Sequence, residues 1–378
     1  MTTRAAKSGL GLALIGAALL ALAGSGGGAP REAEWAQASG PRKWVFPADH
    51  GAHPEFRTEW WYFTGMLSDS AGGEYGYQLT FFRRGLRFEP AVPANPWSVR
   101  DVFFAHLAVT DIARKRFRMS ERASRPGPGL AGSSSEGLDL HLLGWSAKMD
   151  QGSVRLRASG DGIVLDLELE ATRPVVLHGA NGLSRKGPGP GQASYYSSLT
   201  RIGTRGVLIP GPEESAIPVR GTSWFDHEFG SGVLPAEAAG WDWMSLGLND
   251  GRDLMVFRLR RPDGTDVPGS SAATLIGPGG KVRALAGADF AWDVLDRWKS
   301  PRSGADYPRR RRFRIPSFGI DVEIAPLVDG QELLTPGSTR VTYWEGAVSA
   351  LGVSEGRPVR GRGYVEMTGY AGRLGGVF

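Results

Sequence analysis

The 378-residue sequence has no cysteine, only seven lysines and few segments with the hydrophobic period of a helix. The absence of cysteine excludes a disulfide-bonded scaffold, and a hydrophobic content of 41% excludes a disordered acidic chain. The net charge of +5 comes from an arginine excess that we interpret partly as a composition bias, so it does not indicate a nucleic-acid partner. The chain is long enough for one large domain or two ordinary ones.

Glycine and proline are abundant instead, with 55 and 25 residues. Glycine is present at about twice its usual share of roughly 7%, and turn residues this frequent interrupt long helices. Aromatic residues make up 10% of the chain and lie mostly in strand-like runs, where large rings line a core or a ligand cavity. These features predict an all-β protein.

Residues 1–28 have the pattern of a secretory signal peptide followed by a small-residue linker. The apolar run from Leu10 to Leu22 is short for a membrane span, which needs about 20 apolar residues. Ser25 stands where a bacterial lipoprotein would carry its lipidated cysteine, so no acyl anchor forms there. We therefore expect a secreted or periplasmic protein; an uncleaved membrane anchor is the alternative.

The rest of the chain reads as short strands between turns. Residues 165–170 alternate leucine with acidic residues, which is typical of a strand with one solvated face. Residues 240–264 read as strand, Asn-Asp-Gly turn, strand and Asp-Gly turn, which predicts an antiparallel meander. The best helix candidate is Ala286 to Trp298, although a strand plus loop fits that segment nearly as well.

A loop rich in small residues, Ser231 to Ala239, is the predicted domain boundary. It separates an N-terminal domain, residues 41–232, from a C-terminal domain, residues 236–375, and both are of ordinary domain size. Each part has enough strands for its own barrel, so we expect two barrels rather than one sandwich.

Three clusters of aromatic and acidic residues lie in strand-like sequence: residues 59–62 (EWWY, preceded by His53-Pro54-Glu55), 223–230 (SWFDHEFG) and 240–243 (GWDW). Because strand side chains alternate, Asp226 and Glu228 share a face opposite His227. In the same way, the two tryptophans of the third cluster point away from Asp242. Spacing alone does not assign the three acids to one wall.

A carboxyl group buried against indole rings keeps its proton and acts as a general acid. Such an acid protonates an unactivated double bond, and aromatic faces stabilise the resulting cation. Ser/His/Asp catalysis has weaker support because the sequence lacks a Gly-x-Ser-x-Gly elbow. Metal sites at His50, His53 and Glu55, or at residues 226–228, lack the helical His-x-x-x-His spacing. The structural alternative is that the tryptophans are core residues and the acids cap turns or pair with arginine.

At these clusters the sequence resembles the AttH and carotenoid 1,2-hydratase (hydroxyneurosporene synthase) group of lipocalin-like proteins. The resemblance extends from residue 53 to residue 371, and its motifs are EWWYFTG at 59–65, SWFDHEFGS at 223–231, GWDWMSL at 240–246, TYWEGAV at 342–348 and GRGYVEMTGY at 361–370. It implies two consecutive lipocalin-like antiparallel β-barrels. Photosynthetic members of the group add water across the terminal double bond of acyclic carotenoids. The signal peptide and the Asp-His-Glu motif look like the second, AttH-like branch, which is often secreted.

These observations lead to the hypothesis of a secreted hydro-lyase that acts without a cofactor or metal on an apolar isoprenoid-like substrate. Asp226 is the first-choice general acid, with Asp242 and Glu228 as substitutes and His227 as an orienting or proton-relaying partner. The residues that we assign to substrate binding are Glu59, Trp60, Trp61, Tyr62, Trp224, Trp241 and Trp243. One rival hypothesis is a periplasmic lipocalin that carries a lipophilic molecule. Another is a scaffold partner of a membrane export complex, which predicts no cavity.

We predict that signal cleavage follows Ala23 or lies within a few residues of it, because small residues end the apolar run there. N-terminal sequencing of the exported protein measures the site. Membrane-bound protein that retains Met1 would contradict this prediction.

Overall fold

The computed structural model describes residues 34–88, 99–372 and 374. The predicted signal peptide lies outside the described residues. Within those ranges, none of the helices has the length and apolar character that a membrane crossing requires. The expected all-β class is confirmed, since the described residues form two curled antiparallel sheets and three short 3-10 helices, Ala48–His50, Gly287–Asp289 and Pro316–Phe318.

The first sheet curls into a near-barrel that we call the first barrel. Its edge strand β4 packs against the paired strands β8 and β9 across the interior. The strands are β1 Thr58–Ser68, β2 Glu74–Gly85, β3 Asp101–Asp111, β4 Arg116–Ser124, β5 Ala131–Ser133, β6 Asp139–Leu142, β7 Trp145–Asp150, β8 Ser153–Gly160, β9 Ile163–Glu170, β10 Val176–Leu177, β11 Leu183–Arg185, β12 Ala193–Ile209 and β13 Ile217–Gly230.

The second sheet, here called the second barrel, follows after the loop that contains Ser231 to Ala239. Its strands are β14 Gly240–Leu248, β15 Asp253–Arg260, β16 Ala272–Ile276, β17 Val282–Ala286, β18 Ala291–Lys299, β19 Asp306–Ile315, β20 Ile320–Pro326, β21 Glu332–Leu334, β22 Thr342–Ser354 and β23 Arg357–Met367.

The two barrels share a strand arrangement that the sequence does not reveal as a repeat. In each barrel the first strand pairs with both the second and the last: β1 with β2 and β13, and β14 with β15 and β23. The last strand also pairs with the long strand before it, β12 in the first barrel and β22 in the second. By this pairing, β1, β12 and β13 of the first barrel correspond to β14, β22 and β23 of the second barrel.

Three apolar clusters hold this arrangement together. One fills the first barrel and contains Trp61, Phe63 and Trp145. A second fills the second barrel. The third, which includes Tyr62 and Trp243, lies between the barrels. The central part of β1 is buried on both faces, because one face lines the barrel interior and the other faces the second barrel.

Local sequence patterns predict most strands correctly. Residues 163–170 form β9 with the alternating burial that their leucines indicate. Residues 240–264 form β14, a turn with Gly251 at φ +89°, β15 and a turn with Gly264 at φ +84°. The helix candidate Ala286 to Trp298 is wrong: the segment is mostly strand β18, which pairs with β19. Most β18 side chains are at least partly exposed, so alternation is weak there.

Buried polar contacts join the barrels. Asp253 of β15 is fully buried, and its Oδ2 and Oδ1 lie 2.8 Å from Arg173 Nη1 and 2.6 Å from Arg201 Nε of the first barrel. The Thr110 hydroxyl donates to the side-chain oxygen of Gln331 at 2.7 Å. The buried Asp253 carboxyl group of the second barrel thus finds its charged partners on the first barrel.

We predict that Asp253→Ala lowers the free energy of unfolding by about 3 kcal/mol, because it leaves two arginines without their buried partner. Urea denaturation measures the change. Asp250→Ala is the matched control: it lies three residues earlier on an exposed turn, paired with Arg252, where such pairs contribute about 1 kcal/mol or less. Equal losses in the two variants would contradict this account.

Candidate functional site

A cavity lies between the two barrels, against the outer faces of β1, β12 and β13 and of β14, β22 and β23. Its empty volume, open mouth included, is about 1020 Å³. Eight aromatic residues line it: Trp60, Tyr62, Phe82, Tyr196, Trp241, Trp243, Phe257 and Tyr343. Such a chamber suits a largely apolar ligand.

Asp226 is a buried cavity residue whose carboxyl group accepts hydrogen bonds from three side chains. Only 3% of the residue is exposed. Its Oδ2 accepts a hydrogen bond from the Tyr196 hydroxyl at 2.5 Å, and its Oδ1 accepts one from Trp224 Nε1 at 2.5 Å. The Ser198 hydroxyl also donates to Oδ1. These donors fix the carboxyl group in one orientation toward the cavity.

Burial raises the pKa of Asp226 to about 7. The hydrogen bonds from Ser198, Tyr196 and Trp224 oppose this rise because they favour the carboxylate, whereas the charge of Glu228 adds to it. A carboxyl group with this pKa is partly protonated at neutral pH. It is therefore able to donate a proton inside the cavity.

Glu228 shares the cavity face with Asp226 but has different surroundings. Its Oε1 lies 2.8 Å from Lys186 Nζ, and the Ser194 hydroxyl also donates to it. Lys186 in turn lies 3.7 Å from the centre of the Phe257 ring. Glu228 is thus half of a nearly buried ion pair at the cavity wall.

The second barrel contributes two more carboxyl groups, Glu345 of β22 and Glu366 of β23. They are directly opposite each other in the strand register. Burial raises the pKa of Glu366 to about 7, with Trp241 Nε1 donating to it at 2.9 Å. Burial, and then the charge of Glu366, raise the pKa of Glu345 well above its usual range.

Sequence reasoning missed Glu345 and Glu366. Both lie within quoted motifs, TYWEGAV and GRGYVEMTGY, and each follows a tyrosine by two residues, Tyr343 and Tyr364. This spacing places each glutamate on the same strand face as its tyrosine. The Tyr-x-Glu spacing is visible in the sequence, but the local sequence does not show that these strand faces meet Asp226.

On the opposite face of β1 and β13, Glu59 and His227 point into the first barrel. Glu59 Oε1 lies 2.9 Å from His227 Nε2 and 2.9 Å from His53 Nδ1, and Oε2 accepts a hydrogen bond from Arg83 Nε at 3.1 Å. Burial alone would raise the pKa of Glu59, but the histidine hydrogen bonds and the Arg83 charge hold it well below its usual range. His53 also contacts Asp49 Oδ1 at 3.1 Å. This is a buried ion network.

Four predicted site residues therefore lie away from the cavity: Glu59, Trp61, His227 and Asp242. Trp61 stacks on His227 inside the first barrel, with ring centres 5.1 Å apart. Asp242 is fully buried on the other face of β14, where Arg260 Nε donates to its Oδ1 at 3.1 Å. The reason is the two-residue period of a strand, which turns each of them away from its cavity-facing neighbours.

The other predicted residues gather at the cavity. Trp60, Tyr62, Glu228, Trp241 and Trp243 line it together with Asp226. Trp243 Nε1 donates to the Tyr196 hydroxyl at 2.9 Å. Trp224 is nearly buried, and its indole N–H holds Asp226.

In the described ranges, the group with atoms close enough to hold a metal ion is His53, Glu59 and His227, whose ligand atoms all lie within 4.8 Å of one another. Each of these atoms already has a protein partner in the ion network. The triplets suggested by the sequence do not assemble, since His227 faces away from Asp226 and Glu228.

The chain matches the AttH-like family model over residues 37–370. A Nitrosomonas europaea protein assigned as AttH has 35% identity and a TM-score of 0.78, and the match covers 89% of this chain and 99% of that one. Kievitone hydratase from Nectria haematococca has 17% identity and a TM-score of 0.66, covering 87% and 93%, which shows a shared fold. No curated protein matches the sequence significantly.

We predict that Asp226→Asn becomes more stable relative to wild type as pH rises from 4 to 7. The pKa of Asp226 is about 7 in the folded protein against 3.8 as the ordinary value. Between these values the folded state binds the extra proton, so wild-type stability falls with rising pH, by at most about 1.4 kcal/mol per pH unit. Asparagine does not titrate.

Urea denaturation of both proteins at several pH values measures the difference. Asp166→Asn is the control: a hydrogen bond from Arg155 lowers the Asp166 pKa from its ordinary value of 3.8, so its stability difference from wild type is expected to change little between pH 4 and 7. A stability difference between Asp226→Asn and wild type that does not change with pH would contradict the raised pKa.

Proposed function

The chain belongs to the AttH-like family, and from this premise we propose that it is a cofactor-independent hydro-lyase that adds water to a double bond of an apolar, isoprenoid-like molecule. The observation that carries the proposal is Asp226: a buried carboxyl group in an aromatic cavity, with a pKa raised to about 7. It is the proton donor in this proposal.

The reaction begins with transfer of a proton to the double bond. The O–H bond of Asp226 breaks, its proton forms a C–H bond with the less substituted alkene carbon, and the more substituted carbon becomes a cation. Tyr196 holds the Asp226 carboxyl group at the cavity wall, within reach of a substrate that fills the cavity. Water then adds to the cation and loses a proton.

The aromatic walls stabilise the cation. Trp60, Tyr62, Trp241 and Trp243 surround the cavity, and a cation over such a ring gains about 2 kcal/mol when water is excluded. The Tyr62 and Trp243 rings meet edge to face with centres 5.0 Å apart. This contact keeps the walls in place while the charge develops.

Asp226 is preferred over the other two predicted acids because of their contacts. Asp242 lies outside the cavity and is paired with Arg260. Glu228 is paired with Lys186. Kievitone hydratase, which shares the fold, is a hydratase by name, but the assignment here rests on the surroundings of Asp226.

We further propose that the protein acts in the periplasm or outside the cell, supported by the signal-peptide pattern of residues 1–28. An apolar substrate at that location would come from a membrane. We also propose that the protein associates with a membrane transport complex.

The direct test is Asp226→Asn in a hydration assay with acyclic isoprenoids of increasing length: geraniol, farnesol and squalene. We predict that turnover falls at least about a hundredfold, the lower end for loss of a general acid, while ligand affinity changes little. Mass spectrometry measures the gain of one water, and fluorescence of the cavity tryptophans measures binding.

Asp250→Asn, on an exposed turn, is the control and is expected to keep wild-type turnover. If wild type binds these molecules but hydrates none of them, the carrier hypothesis replaces the enzyme. If Asp226→Asn hydrates them at the wild-type rate, another group is the acid.

A further inference from the structure

Hydration needs a second group, because the water that meets the cation must give up a proton. Four carboxyl groups line the cavity, and Asp226 is the donor in the proposed function. Glu228 forms an ion pair with Lys186 and accepts a hydrogen bond from Ser194. The two remaining carboxyl groups, Glu345 and Glu366, come from the second barrel.

The strand arrangement places Glu366 as the counterpart of Asp226. Asp226 lies on the last strand of the first barrel, opposite Tyr62 of β1 in the register. Glu366 lies on the last strand of the second barrel, opposite Trp243 of β14. An indole N–H holds each carboxyl group, from Trp224 and from Trp241. The two acids therefore reach the cavity from opposite barrels.

Glu345 lies directly opposite Glu366 in the strand register. It is 1% exposed, and its carboxyl group interacts with the buried Tyr62 hydroxyl and with Glu366 on the neighbouring strand. Its neighbours in the cavity therefore include a hydroxyl and a second carboxyl group.

We propose that Glu366, beside a protonated Glu345, is the carboxylate that takes the proton from the attacking water. The water oxygen forms a bond with the cationic carbon, one water O–H bond breaks, and its proton forms an O–H bond on Glu366. The net reaction is addition of one water. Asp226 has then lost a proton and Glu366 has gained one, and exchange with solvent through the open mouth restores both.

The charges around Glu345 and Glu366 support a protonated Glu345 beside an ionised Glu366. Two carboxylates directly opposite each other on neighbouring strands repel, so one of them keeps a proton. The ionisable groups that interact with the pair are Asp226, Glu228, Asp242, Tyr62, Tyr343 and Tyr364. Burial raises the pKa of both Asp226 and Glu366 to about 7, so the productive state, with Asp226 protonated and Glu366 ionised, is populated near neutral pH.

This inference rests on the proposed hydration, and the test separates the two steps. Wild type and Glu366→Gln are incubated with geraniol in deuterated water. Without the base, the cation returns a proton from a neighbouring carbon to the Asp226 carboxylate, which gives back an alkene. We expect hydration to fall at least about a hundredfold in Glu366→Gln, while deuterium still enters the alkene at the wild-type rate.

Glu355→Gln, which is highly exposed on a turn of the second barrel, is the control for charge removal and is expected to behave like wild type. If Glu366→Gln hydrates geraniol at the wild-type rate, or if deuterium entry falls equally with hydration, Glu366 is not the acceptor. If wild type itself incorporates no deuterium and forms no alcohol, the proposed function fails instead.

If wild type does not react with geraniol, the protonation of Glu345 beside Glu366 can still be tested without a substrate. Infrared spectra of the protein near neutral pH report protonated carboxyl groups by their carbonyl stretching band. We expect part of this band to disappear in Glu345→Gln and to remain in Glu355→Gln. An unchanged band in Glu345→Gln would contradict the proposal that Glu345 is protonated.

Discussion

The architecture depends on four strands that are buried on both faces over part of their length. In that part of β1 and β13, and again of β14 and β23, one set of alternate side chains fills a barrel and the other set faces the opposite barrel. These stretches have no solvated face, so the polar residues on them must find partners inside the protein. On the barrel side they form ion networks, such as Glu59 with Arg83. On the other side they form the cavity.

The two sides have different chemistry because they have different partners. Asp242 pairs with Arg260, and Glu59 pairs with Arg83 and two histidines, so these carboxyl groups form ion networks that hold the barrels. Asp226 and Glu366 meet rings, hydroxyls and indole N–H groups, and within the described part of the chain neither is paired with an arginine. Their burial therefore disfavours the charged form. A cavity lined with such acids costs stability, a cost that is typical of functional sites.

The sequence predicts much of this at short range. Two-residue periodicity correctly separates Asp226 and Glu228 from His227, and Trp241 and Trp243 from Asp242. It does not show which face meets the other barrel, so the sequence does not separate Glu59 and Trp61 from Trp60 and Tyr62. Glu366 and Asp226 are 140 positions apart in the sequence, and only the packing of the barrels brings both to one cavity. The β18 segment was ambiguous because its exposed side chains weaken the pattern.

The central claim is that the substrate reacts between the barrels, beside Asp226, and not inside either of them. A crystal structure of the Asp226→Asn protein with bound farnesol tests this most directly, since the variant would hold the unreacted alkene. The account predicts that a double bond of farnesol lies between Asn at position 226 and Glu366, against the rings of Trp60 and Trp243. Farnesol bound within the interior of either barrel would contradict it.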